Sequence, residues 1–95
     1  MKTIGHFING KAAAGISGRT GPIFNPATGE QSAEVALASA ADVDSAVAAA
    51  RAAFPAWSAL PPLRRARIMF RFNELIEAHI DELAGMITAE HGKTI

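Results

Sequence analysis

A long amphipathic segment, Pro61–Lys93, dominates the pattern of hydrophobic and polar positions along the chain. Placed at about 100° per residue, its large apolar side chains share one face of a helix and its charged side chains share the other. The apolar set is Ile68, Phe72, Leu75, Ile76, Ile80, Leu83, Ala84 and Ile87. The charged set is Arg64, Arg67, Arg71, Glu74, Glu77, Asp81 and Glu82. The pattern predicts one amphipathic helix, or two in sequence with a junction near His79, whose apolar face another surface must cover.

Two features of this segment bear on its limits and its surroundings. A proline at position 61 or 62 suits the first turn of a helix, where the missing N–H costs nothing. Gly92 stands where a left-handed residue ends a helix. Phe70 lies on the polar side, which leaves two interpretations open: a partly exposed Phe, or a second surface that covers the helix there.

An alanine-rich segment ahead of it predicts another helix. Ser39-Ala-Ala-Asp42 has the form of a capping box, with Asp in place of the usual Glu. Apolar residues then follow at helical spacing: Val43, Val47, Ala50, Phe54 and Trp57. Pro55 is expected to end or kink this helix, and Trp57 to pack in a short connection ahead of Pro61.

Two β hairpins are predicted before the helices. The first has a strand near Ile4–Ile8, a turn at Asn9-Gly10 and a return strand from Lys11, because Asn-Gly tolerates the positive φ angles of a type I′ turn. Residues 12–20 are poor in large side chains and predict a loop or a weak edge strand.

The second predicted hairpin surrounds a turn rich in proline and glycine. Ile23-Phe24 is a brief extended segment, and Asn25 is kept out of the helical region by the proline that follows it. Thr28-Gly29 supplies the turn. A strand follows in which alternate residues are apolar, namely Ala33, Val35 and Leu37.

The predicted fold class is therefore α+β, with hairpins in residues 1–38 and two or three helices in residues 39–95. Two short hairpins cannot cover the apolar faces of these helices. Because ordering the backbone costs about 1–2 kcal/mol per residue, so thin a core leaves little net stability. We therefore expect the 95 residues to be the opening part of a larger fold, since Lys93-Thr94-Ile95 also provides no polar tail.

Composition excludes several classes of partner and chemistry. Nine basic and nine acidic residues balance, so nothing predicts attraction to nucleic acid or to a membrane surface. No apolar run approaches the roughly 20 residues of a membrane span, and the N-terminus lacks the features of a targeting sequence. The absence of cysteine removes disulfides, thiolate metal sites and a thiol nucleophile, and suits the cytoplasm.

No residue pattern reveals a reaction. The hydroxyl side chains lack a neighbouring His-and-acid arrangement: Ser17, Ser32, Ser39, Ser45, Ser58, Thr3, Thr20, Thr28, Thr88 and Thr94. The histidines, at positions 6, 79 and 91, lack metal-ligand spacing. The arginines of Arg64–Arg71 are followed by Glu74 and Glu77, which predicts a solvated, ion-paired face. Within Glu90–Lys93, the glutamate could be a catalytic base and the lysine a residue that stabilises charge electrostatically. The end of a helix explains the segment more simply.

Several short segments, in order, resemble the aldehyde dehydrogenase superfamily. The string Phe24–Glu30, FNPATGE, resembles a signature near the start of those enzymes. Other segments follow the family's order and spacing: His6–Lys11, Asp42–Val47, Ala50–Trp57, Arg64–Arg67, Leu75–Ile76, Leu83–Ala84 and Glu90–Lys93. Four details are similar to the CoA-acylating methylmalonate-semialdehyde dehydrogenases: Ser17–Arg19, Val35–Ser39, Arg64–Phe70 and Glu90–Thr94.

The resemblance implies a function for the whole enzyme and a scaffold role for this chain. That family oxidises methylmalonate or malonate semialdehyde with NAD, passes the acyl group to CoA in valine and inositol breakdown, and forms homo-oligomers. Residues 1–95 would be the N-terminal part of its cofactor-binding domain, with helices flanking a Rossmann-like sheet and the remainder of the fold as partner. The family's catalytic cysteine and NAD-binding core come after position 95. No catalytic, cofactor-binding or metal-binding residue is therefore predicted here, and the chain alone is expected to be inactive.

Two alternatives stay open at this point. Some relatives hold a monovalent cation through backbone carbonyls at positions matching Ile23 and Phe24, but the rest of that ligand shell is missing from this sequence. The chain could instead be a free-standing α+β module that binds a partner through the apolar face from Ile68 to Ile87. Such a module would melt cooperatively and form a defined oligomer.

Overall fold

A computed structural model describes residues 1–95, and its strands form two small sheets. The strands are β1 (Thr3–Ile4), β2 (His6–Ile8), β3 (Lys11–Ala13), β4 (Thr20–Phe24) and β5 (Gln31–Ala36). One sheet has the order β1-β5-β4, in which β1 is parallel and β4 antiparallel to β5. The other is the antiparallel pair β2-β3.

Both predicted turns are confirmed. Asn9 and Gly10 have φ angles of 55° and 77°, as a two-residue turn between β2 and β3 requires. Gly29 has φ of 78° in the loop from β4 to β5, where the N–H groups of Asn25 and Gly29 close the turn through bonds of 2.8 Å.

The first predicted strand differs from the structure in its pairing. Ile4–Ile8 is interrupted at Gly5: the residues before it pair with β5, and those after it pair with β3. The hairpin signal reports only the local turn, so the parallel contact of Ile4 with Val35 was not predicted. Leu37 lies just beyond β5 rather than within it.

Three helices follow: α1 (Ala40–Ala59), α2 (Pro62–Ala78) and α3 (Ile80–His91). The capping box at Ser39 is confirmed, because the Ser39 side chain accepts from the N–H of Asp42 and the Asp42 carboxylate accepts from the N–H of Ser39. His79 is the junction between α2 and α3, and Gly92 ends α3 with a left-handed φ of 81°, both as predicted.

Of the two outcomes expected at Pro55, an end or a kink, the end of the first helix is wrong. Helix α1 continues to Ala59, so Trp57 lies within the helix and the connection to α2 is only Leu60-Pro61. A proline removes one backbone hydrogen bond, but here it lies in the last turns of an alanine-rich helix, whose composition favours continuation. The helix ends instead where the N–H of Leu60 bonds the Trp57 carbonyl.

The molecule is flat and has almost no interior. It measures 48 × 35 × 15 Å, and its radius of gyration is 17.1 Å, against about 12 Å for a compact chain of this length. Only Ala33 and Asp42 are buried. Besides strand pairing, the main contacts join α1 to β2 and α2 to α3. The predicted thin core and the α+β class are both confirmed.

Candidate functional site

The residues considered for chemistry do not converge in the structure. No group of three His, Cys, Asp or Glu side chains is arranged to hold a metal ion. None of the serine or threonine hydroxyls bonds a histidine: that of Ser39 caps α1, and that of Thr88 donates to the Lys93 carbonyl at 2.6 Å. His79 contacts Glu82 at 3.0 Å on an exposed surface.

The contacts of Glu90–Lys93 and of Ile23-Phe24 indicate structural roles for both segments. Helix α3 ends at His91, and no ion pair joins Glu90 to Lys93. The carbonyl of Ile23 accepts a hydrogen bond of 3.3 Å from the Ser32 hydroxyl. An open groove of about 570 Å³ beside β1 to β3 is lined by Lys2–His6 and Ala12–Ala14. The Thr3 hydroxyl in it donates to the Glu34 carboxylate rather than to a histidine.

The predicted ion-paired face of α2 is formed only in part. Arg71 contacts Glu74 at 3.1 Å, with both side chains about two-thirds exposed, whereas Glu77 forms no ion pair. An exposed pair of this kind contributes at most about 1 kcal/mol. It serves as a solvated surface rather than as a site.

Asp42 forms the one buried polar junction of the chain. Its carboxylate accepts from the N–H and the hydroxyl of Ser39, both at 3.0 Å, and from the N–H of Ile16 at 3.3 Å. The Nε2 atom of His6 lies 3.9 Å away. The backbone N–H of Ser39 makes the largest contribution to lowering the pKa of Asp42, and partial burial opposes it. The remaining hydrogen bonds and His6 lower it further.

This junction joins three separate parts of the chain. Hydrogen bonds connect it to the loop after β3 through Ile16 and to the start of α1 through Ser39. His6 of β2 lies beside it, and the buried Nε2 atom of His6 makes no hydrogen bond. The sequence identified Asp42 only as part of a helix cap. Its role in fixing the hairpin against α1 depends on contacts between residues far apart in sequence, which no local motif reports.

The dominant surface feature is a broad apolar area on the helices, called here the helix surface. Its members are at least one-third exposed: Val43, Val47, Phe54, Trp57, Ile68, Met69, Phe72, Leu75, Ile76, Ile80, Leu83, Met86 and Ile87. The solvent-accessible area of the chain is 7539 Å², whereas a folded protein of 9.9 kDa exposes about 5,200 Å². Exposed apolar side chains in this number on three helices mark an interaction site.

One charged residue lies within the helix surface. Arg65 lies one turn ahead of Ile68 and Met69, and two turns ahead of Phe72, on the same side of α2. Its Nε atom is shielded from solvent and has no hydrogen-bond partner. In the sequence, Arg65 stands in a basic cluster, Arg64–Arg71, which gives it no distinct role. Its helical spacing relative to the apolar stripe was the signal that could have distinguished it.

Comparison with known proteins identifies the family. The sequence profile of the aldehyde dehydrogenase family matches residues 14–95. The chain belongs to the aldehyde dehydrogenase family. It is 49% identical over 92 residues to malonate-semialdehyde dehydrogenase 3 of Geobacillus kaustophilus, a match that covers 97% of this chain and 19% of that protein.

Solved structures of aldehyde dehydrogenases share the same fold over this segment. One is a Sinorhizobium meliloti protein assigned as a methylmalonate-semialdehyde dehydrogenase and crystallised with NAD, with 53% identity, a TM-score of 0.93 and 96% of this chain covered. Another is methylmalonate-semialdehyde dehydrogenase from Oceanimonas doudoroffii, with 50% identity, a TM-score of 0.92 and the same coverage. The match covers 18% of each of those chains.

The present aldehyde dehydrogenase chain thus spans about one-fifth of the length of the relatives it matches. No helix in it has the length and apolar character needed to cross a bilayer. Its uncovered helix surface, rather than a set of reactive groups, is the candidate functional site.

Proposed function

We propose that this chain is the N-terminal scaffold of a malonate- or methylmalonate-semialdehyde dehydrogenase, and that the helix surface is where the rest of the enzyme packs. The complete enzyme would oxidise the semialdehyde with NAD, transfer the acyl group to CoA in the cytoplasm, and form a homo-oligomer. The observation that carries the proposal is 53% identity over 96% of the chain to a structure of that assignment.

The residues present do not fit NAD, CoA or the covalent chemistry of the reaction. The chain has no cysteine to form a thiohemiacetal, no glycine-rich phosphate loop, and only open grooves at its surface. No step of the reaction is therefore assigned to these 95 residues. Their contribution is to cover apolar surface and to hold neighbouring elements in place.

The helix surface supports the scaffold role through its energetics. The chain exposes about 2,300 Å² more than a compact protein of its mass, and most of its exposed large apolar side chains lie on α1 to α3. At about 25 cal/mol per Å², covering even half of that excess with apolar contacts would contribute tens of kcal/mol before the cost of ordering. A surface of this size is sufficient for permanent association with the rest of a fold.

A fusion protein tests the proposal. The chain is joined to the remainder of the Oceanimonas doudoroffii enzyme, in place of the segment that it matches. We expect the fusion to form NADH from malonate semialdehyde in the presence of CoA, as measured by absorbance, and the isolated chain to form none. An insoluble or inactive fusion, alongside active parent enzyme, would contradict the scaffold role.

The isolated chain distinguishes the alternative of a free-standing module. With its helix surface uncovered, the scaffold is expected to melt over a broad range and to bind a hydrophobic dye. Sedimentation showing one defined oligomer, together with a sharp cooperative melt, would instead favour a module that binds a partner by itself.

A further inference from the structure

Arg65 is the one cation on the apolar side of α2. Residues three, four and seven positions further on are Ile68, Met69 and Phe72, which share its side of the helix. Arg65 takes part in none of the ion pairs within the chain, and its Nε has no partner. By contrast, Arg71 lies in solvent beside Glu74.

Ile68, Met69 and Phe72 are called here the α2 stripe. Any surface that covers the α2 stripe also covers Arg65. A guanidinium stays protonated in proteins, so it cannot escape burial by losing its charge. Burying it against apolar groups alone would leave a charge and its N–H donors unpaired, which is strongly unfavourable. The covering surface must therefore present an acceptor, and a carboxylate matches the planar fork of N–H groups with two parallel bonds.

We propose that Arg65 is an ion-pairing anchor, and that the part of the enzyme covering the α2 stripe presents an aspartate or glutamate to it. The inference rests on the proposed function, because it takes the remaining four-fifths of the dehydrogenase as the occupant. An apolar stripe alone would allow α2 to slide or rotate on its neighbour. A single buried ion pair at its start fixes both the register and the orientation. Arg65 is thus a positioning residue that acts through α2.

The fusion protein described above provides the test. Arg65→Met removes the charge and keeps a long side chain, and Arg67→Met makes the same change at an exposed position of the same helix. The protection of the α2 amides against hydrogen exchange should fall at least about tenfold in the Arg65 variant. It should change less than about threefold in the Arg67 control. In the isolated chain both variants should resemble the unsubstituted chain, since Arg65 has no partner there.

A crystal structure of the fusion identifies the acid directly. The expected result is a carboxylate oxygen within hydrogen-bonding distance of the Arg65 guanidinium, from a residue outside the first 95. Converting that acid to its amide should reproduce the loss of protection, and the double variant should lose no more than either single one. A merely structural role for Arg65 would instead give additive losses.

The outcomes separate this inference from the proposed function. An active, folded fusion in which Arg65→Met has no effect, or in which Arg65 reaches solvent or only backbone carbonyls, would overturn the anchor and leave the scaffold role intact. A fusion that does not fold or turn over contradicts the scaffold role itself. If the isolated chain forms a dimer that Arg65→Met dissociates, the occupant is a second copy and the inference is wrong.

Discussion

Phe72→Ala should be far more damaging in the complete enzyme than in the isolated chain. Phe72 lies in the middle of the α2 stripe and is 54% exposed. Complete burial of such a side chain is worth about 1.5–3 kcal/mol. A little under half of that, about 1 kcal/mol, is therefore realised within these 95 residues.

Covering α2 changes the cost of the same substitution. The remaining half of the ring would be removed from water, and its truncation would also leave a cavity between two packed surfaces. Core Phe→Ala substitutions cost about 3–5 kcal/mol for this reason. The difference between the two contexts is thus about 2 kcal/mol or more, which corresponds to roughly 30-fold in an equilibrium constant.

Hydrogen exchange measured by mass spectrometry, over a peptide covering α2, reports the opening free energy in both contexts. Phe70→Ala is the matched control, since Phe70 is 66% exposed and lies two residues away on the opposite side of the helix. We expect it to cost about 1 kcal/mol or less in both the chain and the fusion.

Two results would refute this reasoning. Equal costs of Phe72→Ala in the isolated chain and in the fusion would mean that nothing covers the stripe. A large cost of Phe70→Ala confined to the fusion would mean that a second surface covers α2. That result would favour the second of the two interpretations of Phe70, in which another surface covers the helix there.

Three further predictions concern the junction at Asp42. Ser39→Ala removes the cap of α1 and should destabilise its first turn by about 1 kcal/mol, as measured by hydrogen exchange. The pKa of Asp42 is lowered foremost by the Ser39 N–H, so its stabilisation is present above the ordinary aspartate pKa of about 4 and is lost as pH falls through the lowered value. Asp42→Asn should therefore weaken the acid-induced loss of helicity seen by circular dichroism. Gly15→Ala should cost more than about 1 kcal/mol, because Gly15 has φ of 84° and an added Cβ would lie 2.8 Å from the His6 ring.

Each of these predictions has a matched control within the chain. Ser45→Ala removes an exposed hydroxyl inside α1 and should not destabilise the first turn of α1 as Ser39→Ala does. Asp44→Asn removes an exposed charge and should not change the acid-induced loss of helicity as Asp42→Asn does. Gly18→Ala places a Cβ at φ of 71° in open space and isolates the backbone strain from the clash. Equal losses at positions 15 and 18 would mean that the contact with His6 contributes nothing. A pH profile unchanged by Asp42→Asn would contradict the lowered pKa.

Local signals in the sequence were sufficient for most of the elements. The capping box at Ser39, the Asn9-Gly10 turn, the junction at His79 and the end at Gly92 all depend on residues within a few positions of one another. Such signals act through backbone dihedrals and nearby hydrogen bonds, so they are the same in any tertiary context. The order of motifs also indicated the family, which the comparisons then established.

What local signals could not supply was the pairing of distant segments. The division of the first strand at Gly5, with β1 beside β5, depends on which edge is free in the folded chain. The continuation of α1 through Pro55 depends on the balance between one lost hydrogen bond and a strongly helical neighbourhood. The assignment of residues 1–95 to the cofactor-binding domain stays a prediction.

The sequence by itself determined that this protein has more apolar helix surface than its hairpins can cover, because amphipathic periodicity is written in side-chain order alone. Only the tertiary structure decided which polar groups are enclosed. It brought His6, Ile16 and Ser39 to Asp42, and it left Arg65 shielded on the apolar stripe without a partner. The physical reason is that burial and pairing are properties of several segments at once, whereas periodicity belongs to one.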